Sequence, residues 1–243
     1  MNIFKKLSLV SLVRNKSVTK MKYETIPIIP CAEEKAYVKA KDYLANGLVI
    51  AVPTDTIYGL ACSANCQDAI KKLYAIKGRD SAKPVAICVS NIGDVRKWGQ
   101  AEHLSDNLLT SLLPGPVTVV LEKTERLNNP YLNPMTTKIG IRIPDHSFIN
   151  KVTNMFDMPV ALTSANSSNE PSSLTIKEFE HLFCYLGAIF DGGTLSQGLD
   201  MNRSGSTVID LSNIGYYDII RKGISYDLIV KILQEHGLSS IVK

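Results

Sequence analysis

The sequence predicts an α/β fold, with one twisted mixed sheet flanked by helices. Three observations carry this. Strand-like and helix-like segments interleave along most of the chain, the pattern of sheet-plus-helix architectures. Several strand-like segments are continuous apolar runs, as expected of strands covered on both faces. Two strand-like segments near the C-terminus follow one another directly, which calls for some antiparallel pairing. With 243 residues, 45% of them hydrophobic, the chain is long and apolar enough to bury a sizeable core.

The elements follow in order. Glu33–Asn46 reads as a helix stopped by Gly47, and LVIAVP, Leu48–Pro53, as a buried strand. Ala69–Ile76 has helical spacing, and PVAICV, Pro84–Val89, is the next apolar strand. Asp94–Trp98 and Ser105–Leu113 suggest further helices. VTVVLEK, IGIRIP and MPVALTS, starting near Val117, Ile139 and Met158, are strand-like. Thr175–Leu186 reads as helix, AIFDGG as strand into turn, Ser206–Ser212 and Tyr216–Gly223 as two late strands, and Ser225–His236 as a last helix. The expected organisation is one domain over about 30–225 with a helical tail, 226–243. No repeat or long linker interrupts it.

Charge divides unevenly. Lys5, Lys6, Arg14, Lys16 and Lys20 precede the first acid, Glu24, so setting residues 1–20 aside takes the formal charge from +4 to −1. The body therefore carries no global field of the kind that gathers nucleic acid. Residues 1–20 alternate basic and apolar residues, add Ser and Thr and lack acids, which predicts a mitochondrial transit peptide; a basic tail is the alternative. Met21 offers a second start, so mitochondrial and cytoplasmic location are both expected. The five scattered cysteines, Cys31, Cys62, Cys66, Cys88 and Cys184, suggest neither a disulfide framework nor a zinc site. No apolar run approaches the ~20 residues of a membrane span.

Four segments could carry chemistry. PTDTIYGLAC, Pro53–Cys62, follows a buried strand and offers two hydroxyls and a carboxylate to a small polar ligand, or merely caps a turn. Lys77, Arg79 and Lys83, spaced by Gly78, suit a polyphosphate, or form a solvated basic turn; no Walker loop is present. LTSANSSNEPS, Leu162–Ser172, can turn backbone and side-chain donors toward a phosphate or ribose, or is a polar surface loop. Arg142 lies inside an apolar strand, and Arg221 sits the same way at the end of a late one; each awaits a carboxylate ligand or a structural ion pair. The histidines 103, 146, 181 and 236 show no metal spacing and receive no role. Together the segments point to a strand-end pocket for a polyphosphate and a small acid.

PTDTIYGL, KGR…KP, PGPVT, IRIPDH, TSAN…PS and GSTVID…IIRKG, taken in this order from about Glu33 to Gly223, resemble the YrdC/Sua5 family of threonylcarbamoyl-AMP synthases. The resemblance implies a single YrdC-like domain without the C-terminal domain of the longer Sua5 proteins. It also implies an activity: L-threonine, bicarbonate and ATP give threonylcarbamoyl-AMP and pyrophosphate, with Mg²⁺ accompanying ATP. The product would pass to a separate tRNA threonylcarbamoyl transferase that modifies adenosine 37. By the same resemblance Lys77, Arg79, Lys83, Lys138, Ser164, Asn166, Ser172 and Arg221 bind ATP. Thr56, Cys88, Arg142, Ser206 and Thr207 form the threonine site, with Arg142 facing the carboxylate. Lys83 and Cys88 depart from many bacterial and archaeal relatives, which carry Asn and His there. No nucleophilic pair is required, so catalysis rests on positioning and charge. Two other readings remain: an RNA-binding module, disfavoured by the near-neutral body and 7% aromatic content, and a carbamoyl-phosphate-using relative, disfavoured by the length.

Overall fold

The apolar runs become neighbours in one sheet because only stacking them side by side satisfies their backbone groups away from water. The computed structural model describes residues 26–78, 83–168, 170–195 and 203–241. The basic leader 1–20, Met21 and Arg79 lie outside the described residues. In chain order the elements are β1 (Ile28–Pro30), α1 (Ala36–Ala45), β2 (Ile50–Val52), β3 (Gly59–Ser63), α2 (Gln67–Lys77) and β4 (Ala86–Cys88). There follow α3 (Ile92–Trp98), α4 (Asp106–Leu112), β5 (Val117–Glu122), β6 (Lys138–Arg142), α5 (Ser147–Phe156) and β7 (Val160–Ser164). After a 3₁₀ segment (Ile176–Tyr185) come β8 (Ala188–Asp191), β9 (Thr207–Asp210), β10 (Tyr216–Arg221), α6 (Tyr226–Glu235) and β11 (Ser239–Ser240).

The strand order is β1-β8-β2-β3-β7-β4-β6-β5-β9-β10-β11. Parallel pairs such as β4 with β6 alternate with antiparallel ones such as β5 with β6, so the expected mixed sheet is present. The late strands β9 and β10 pair antiparallel, as their direct succession required.

Two expectations need correction. Pro53–Cys62 is not one strand-end loop. Its second half is β3, a fully buried strand that turns back on β2 with Val52 opposite Gly59. The sheet is also not covered on both faces throughout. Side chains alternate along each strand, so each face can be followed separately. One face is covered over most of the sheet by a core that includes Leu60, Ile87, Val119, Ile141 and Ile209 from the strands and Leu73, Leu109 and Leu233 from helices. On the other face, α1 and α5 cover Ile50, Val52, Ala61, Val160 and Phe190 with Ala40, Leu44, Phe148 and Val152. Beyond that pair of helices the same face is open over β6, β5 and β9, and a cleft occupies the space. The segment after 225 packs back: Ile229 and Leu233 are buried, α6 packs on α4, and β11 pairs with β10.

Candidate functional site

The cleft has a volume of about 540 Å³, within the range of small-molecule sites. Its floor is made by residues that alternation turns to the open face: Thr118 and Val120 of β5, Gly140 and Arg142 of β6, Val208 and Asp210 of β9. Gly140 is required there. A Cβ at this position would stand 2.8 Å from Thr118 Cγ2 and fill the floor.

Two turns bring polar groups to its edge. The β2–β3 turn is closed by Thr54, whose hydroxyl accepts from the Thr56 and Ile57 amides, each at 3.2 Å, and donates to Ile57 O at 2.7 Å. Thr54 therefore caps the turn, and it also lines the cleft. Helix α2 ends at Lys77 because Gly78 takes a left-handed conformation, φ +54°, and its amide closes the last turn. Lys77 is 4% exposed. Its ammonium reaches Ser164 O at 2.7 Å, Asn166 Oδ1 at 2.7 Å and Asn166 O, tying the serine–asparagine loop to α2. Ser168 Oγ returns a bond to Lys77 O at 2.9 Å.

At the other side of the floor, Lys138 donates to Asp210 Oδ2 at 2.8 Å. Burial pushes the Asp210 carboxyl up, but bonds from Lys138 and Ser212 outweigh it and hold the group below the usual aspartate range. Arg221, just before the Gly223 turn, donates to Ser206 O at 2.7 Å, and Ser206 Oγ shares a bond with Thr118 Oγ1 at 2.8 Å. Arg142 pairs with Asp55, both side chains at most 10% exposed.

The structure thus gathers Lys77, Lys83, Lys138, Arg142, Ser164, Asn166, Ser172, Ser206 and Arg221 around one cleft. Three expected threonine-site residues are placed differently. Thr56 is buried beside Thr54, with 3.1 Å between the hydroxyls. Cys88 is fully buried under α5 at the seam beside Arg142, and burial pushes its thiol up to about 12. Thr207 points to the covered face, where its hydroxyl donates to Ile224 O and accepts from the Gly223 amide. It shapes the turn beside Arg221 rather than the cleft wall. Sequence reasoning left Thr118, Gly140 and Asp210 without roles, and took Asp55 as a ligand-orienting or capping carboxylate rather than the partner of Arg142. Alternation along β5 and β6 could have found the first two. Nothing in the sequence says which cation an aspartate will meet.

A family model, Sua5/YciO/YrdC, described as telomere recombination, matches residues 42–223. The chain belongs to this family. A Bos taurus member named threonylcarbamoyl-AMP synthase is 48% identical over 196 residues, covering 80% of this chain and 70% of its own length. Pyrococcus abyssi Sua5, solved in complex with L-threonine, superposes with a TM-score of 0.74 at 25% identity, covering 90% of this chain and 63% of that one. The chain therefore spans somewhat under two thirds of that Sua5. Escherichia coli YciO shares the fold, with a TM-score of 0.72 at 19% identity over 83% of this chain and 97% of that one. The family match spans every motif that builds the cleft, from the β2–β3 turn to Gly223.

Proposed function

We propose that the chain is an L-threonylcarbamoyladenylate synthase, a nucleotidyltransferase acting on ATP, L-threonine and bicarbonate. One observation carries the reading: a single cleft is lined by Lys77, Lys138 and Arg221, suited to phosphates, and by Arg142, suited to a small carboxylate. The cleft belongs to a chain 48% identical to a bovine protein named for this activity.

The chemistry follows from that inventory. L-threonine and bicarbonate give N-carboxythreonine with loss of water. Its new carboxylate oxygen attacks the α-phosphorus of ATP, the bond from that phosphorus to the bridging oxygen of the β-phosphate breaks, and pyrophosphate leaves with the electron pair. Lys77 and Arg221, with Arg79 and Lys83, offset charge on the phosphates. Ser164, Asn166 and Ser172 hold the nucleotide. Arg142 and Ser206 orient the amino acid beside the α-phosphate. Orientation of this kind supplies several kcal/mol, about 7–11 at the upper end, without a covalent enzyme intermediate.

Among the described residues no group of three or more His, Cys, Asp or Glu is gathered to hold a metal. The cleft-side carboxylates, Asp55 and Asp210, are each paired with a cation. This donor set fits Mg²⁺ carried on the phosphates, where it would offset their charge, rather than a protein cage. Product would go to a separate tRNA threonylcarbamoyl transferase. The leader supports mitochondrial delivery, with Met21 giving a cytoplasmic form; tagged full-length chain that never reaches mitochondria would end that part. Among the described residues no helix is long and apolar enough to cross a membrane.

The deciding experiment incubates the chain with L-threonine, bicarbonate, ATP and Mg²⁺ and follows pyrophosphate. Release that needs both threonine and bicarbonate supports the synthase. No release, alongside tight salt-sensitive RNA binding, would replace it with the RNA-binding reading.

A further inference from the structure

At the phosphate end of the cleft one buried side-chain amide, that of Asn133, joins three segments of chain. Its Oδ1 accepts from the Val85 amide at 2.7 Å, and its Nδ2 donates to Val85 O at 2.9 Å. These are the two bonds that a neighbouring strand would make, so the side chain stands in for one at the entry to β4. Oδ1 also accepts from Tyr74 Oη at 3.1 Å, one turn before Lys77 at the end of α2. Asn133 itself lies in the left-handed region, φ +52°, which asparagine tolerates better than most residues. Its carbonyl accepts from Lys123 Nζ at 3.1 Å and from the Thr136 amide at 3.3 Å, so its backbone is held as well.

All three segments line the cleft. Lys83, Pro84 and Val85 do so from the entry to β4, Thr136 and Lys138 from the chain just after Asn133, and Lys77 from the end of α2. The ammonium groups of Lys77 and Lys138 are fixed at their tips by Asn166 and Asp210. Lys83 makes no ion pair among the described residues, so its reach into the cleft is set by its backbone, two residues from the Val85 groups that Asn133 holds.

We propose that Asn133 is a positioning residue for the nucleotide: its amide holds the Lys83–Val85 edge of the cleft against the end of α2 and the β5–β6 connection, so that Lys83 converges with Lys77 and Lys138 on one polyphosphate. This rests on the reading of that end of the cleft as the phosphate site. Without the amide, two buried backbone groups of Val85 lose their partners, a cost relieved by admitting water and letting the edge move outward. Attraction between charges weakens with distance, so a triphosphate feels an outward shift of Lys83, whereas a monophosphate, lacking the outer phosphates, feels it far less.

The test uses the full chain. Asn133→Gly adopts the left-handed backbone freely and removes only the side-chain bonds. Binding of α,β-methylene-ATP, of AMP and of L-threonine is measured by calorimetry in the presence of Mg²⁺. Asn133→Gly should weaken the ATP analogue about tenfold and leave AMP and threonine within about threefold of wild type. In a Lys83→Met background the same substitution should cost the analogue less than about threefold, because the cation it positions is gone. Tyr74→Phe cuts one of the three bonds and should weaken the analogue about threefold; it carries the comparison should Asn133→Gly not fold, and wild-type affinity there then overturns the proposal. Wild-type affinity for the analogue in Asn133→Gly overturns it too. So does an equal loss for analogue, AMP and threonine, the mark of a merely structural residue, or an undiminished loss in the Lys83→Met background. Wild type that binds the analogue but releases no pyrophosphate from ATP sinks the synthase reading and leaves these comparisons decisive. Wild type that binds no analogue overturns both.

Discussion

Lys77→Met keeps most of the side chain's volume and removes its ammonium, and the geometry around that ammonium sets the cost. The wild-type group is 4% exposed and donates to Ser164 O, Asn166 Oδ1 and Asn166 O. A bond from a charged donor contributes about 1.5–3 kcal/mol, and a buried acceptor stripped of its partner costs about 1–3 kcal/mol. The three acceptors share one ammonium and lie beside the cleft, where water can partly replace it, so these figures do not add. A loss of about 3 kcal/mol is expected, which at roughly 2–4 °C per kcal/mol lowers Tm by about 6–12 °C. The same substitution removes a cation from the phosphate end. Losing one charge-assisted contact of about 2–3 kcal/mol lowers kcat/KM for ATP about 30–150-fold. Thermal unfolding and pyrophosphate release at saturating threonine and bicarbonate read the two effects. A variant within about 2 °C and about twofold of wild type would refute both the loop-anchoring and the phosphate role of Lys77.

Three other perturbations test separate parts of the cleft. Arg142→Ala should raise the threonine KM at least about tenfold while sparing the ATP KM. It also strands the Asp55 carboxylate at a cost of about 3–5 kcal/mol, and adding Asp55→Asn should recover much of that stability in urea unfolding; no recovery means the pair is not coupled. Gly140→Val puts a branched side chain where even a Cβ meets Thr118 at 2.8 Å, so activity should collapse with a stability loss of about 1–3 kcal/mol; normal turnover would move the active site elsewhere. Asp210 is held ionised by Lys138 and Ser212. A depressed carboxylate contributes stability above about pH 4 that fades as pH falls through its folded-state value, so Asp210→Asn should be less stable than wild type at pH 7, by a margin that narrows at about pH 3. Equal gaps in urea midpoint at both pH values would show that the carboxylate charge is not the cause.

Much of this was legible because apolar runs and strand-end polar clusters are local signals. The strands at Leu48, Pro84, Val117, Ile139 and Met158 and the late antiparallel pair all lie where periodicity puts them. β3 escaped because GLACS is built of small residues. Gly59 sits where a Cβ would stand 2.6 Å from Leu162 Cδ1, so the strand is selected by close packing against β7 rather than by bulky β-formers. The open half-face escaped for a different reason. Val120 and Thr118 are nearly as buried at the bottom of a deep cleft as they would be beneath a helix, so the run VTVVLE reads the same in either setting. Among site residues, Ser206 and Thr207 could be assigned as a pair but not separated, since neighbouring residues of a strand face opposite ways and the register decides which one sees the cleft. Asp55 depends on a contact with Arg142 across 87 residues of chain, beyond the reach of any local pattern.

The uncovered half of the sheet sets the terms on which a product leaves. An acyl adenylate is a mixed anhydride that water cleaves. Among the described residues no helix stands above the floor of the cleft, so solvent can reach whatever lies there through its mouth. Yield would then be a race between departure to an acceptor and hydrolysis in place.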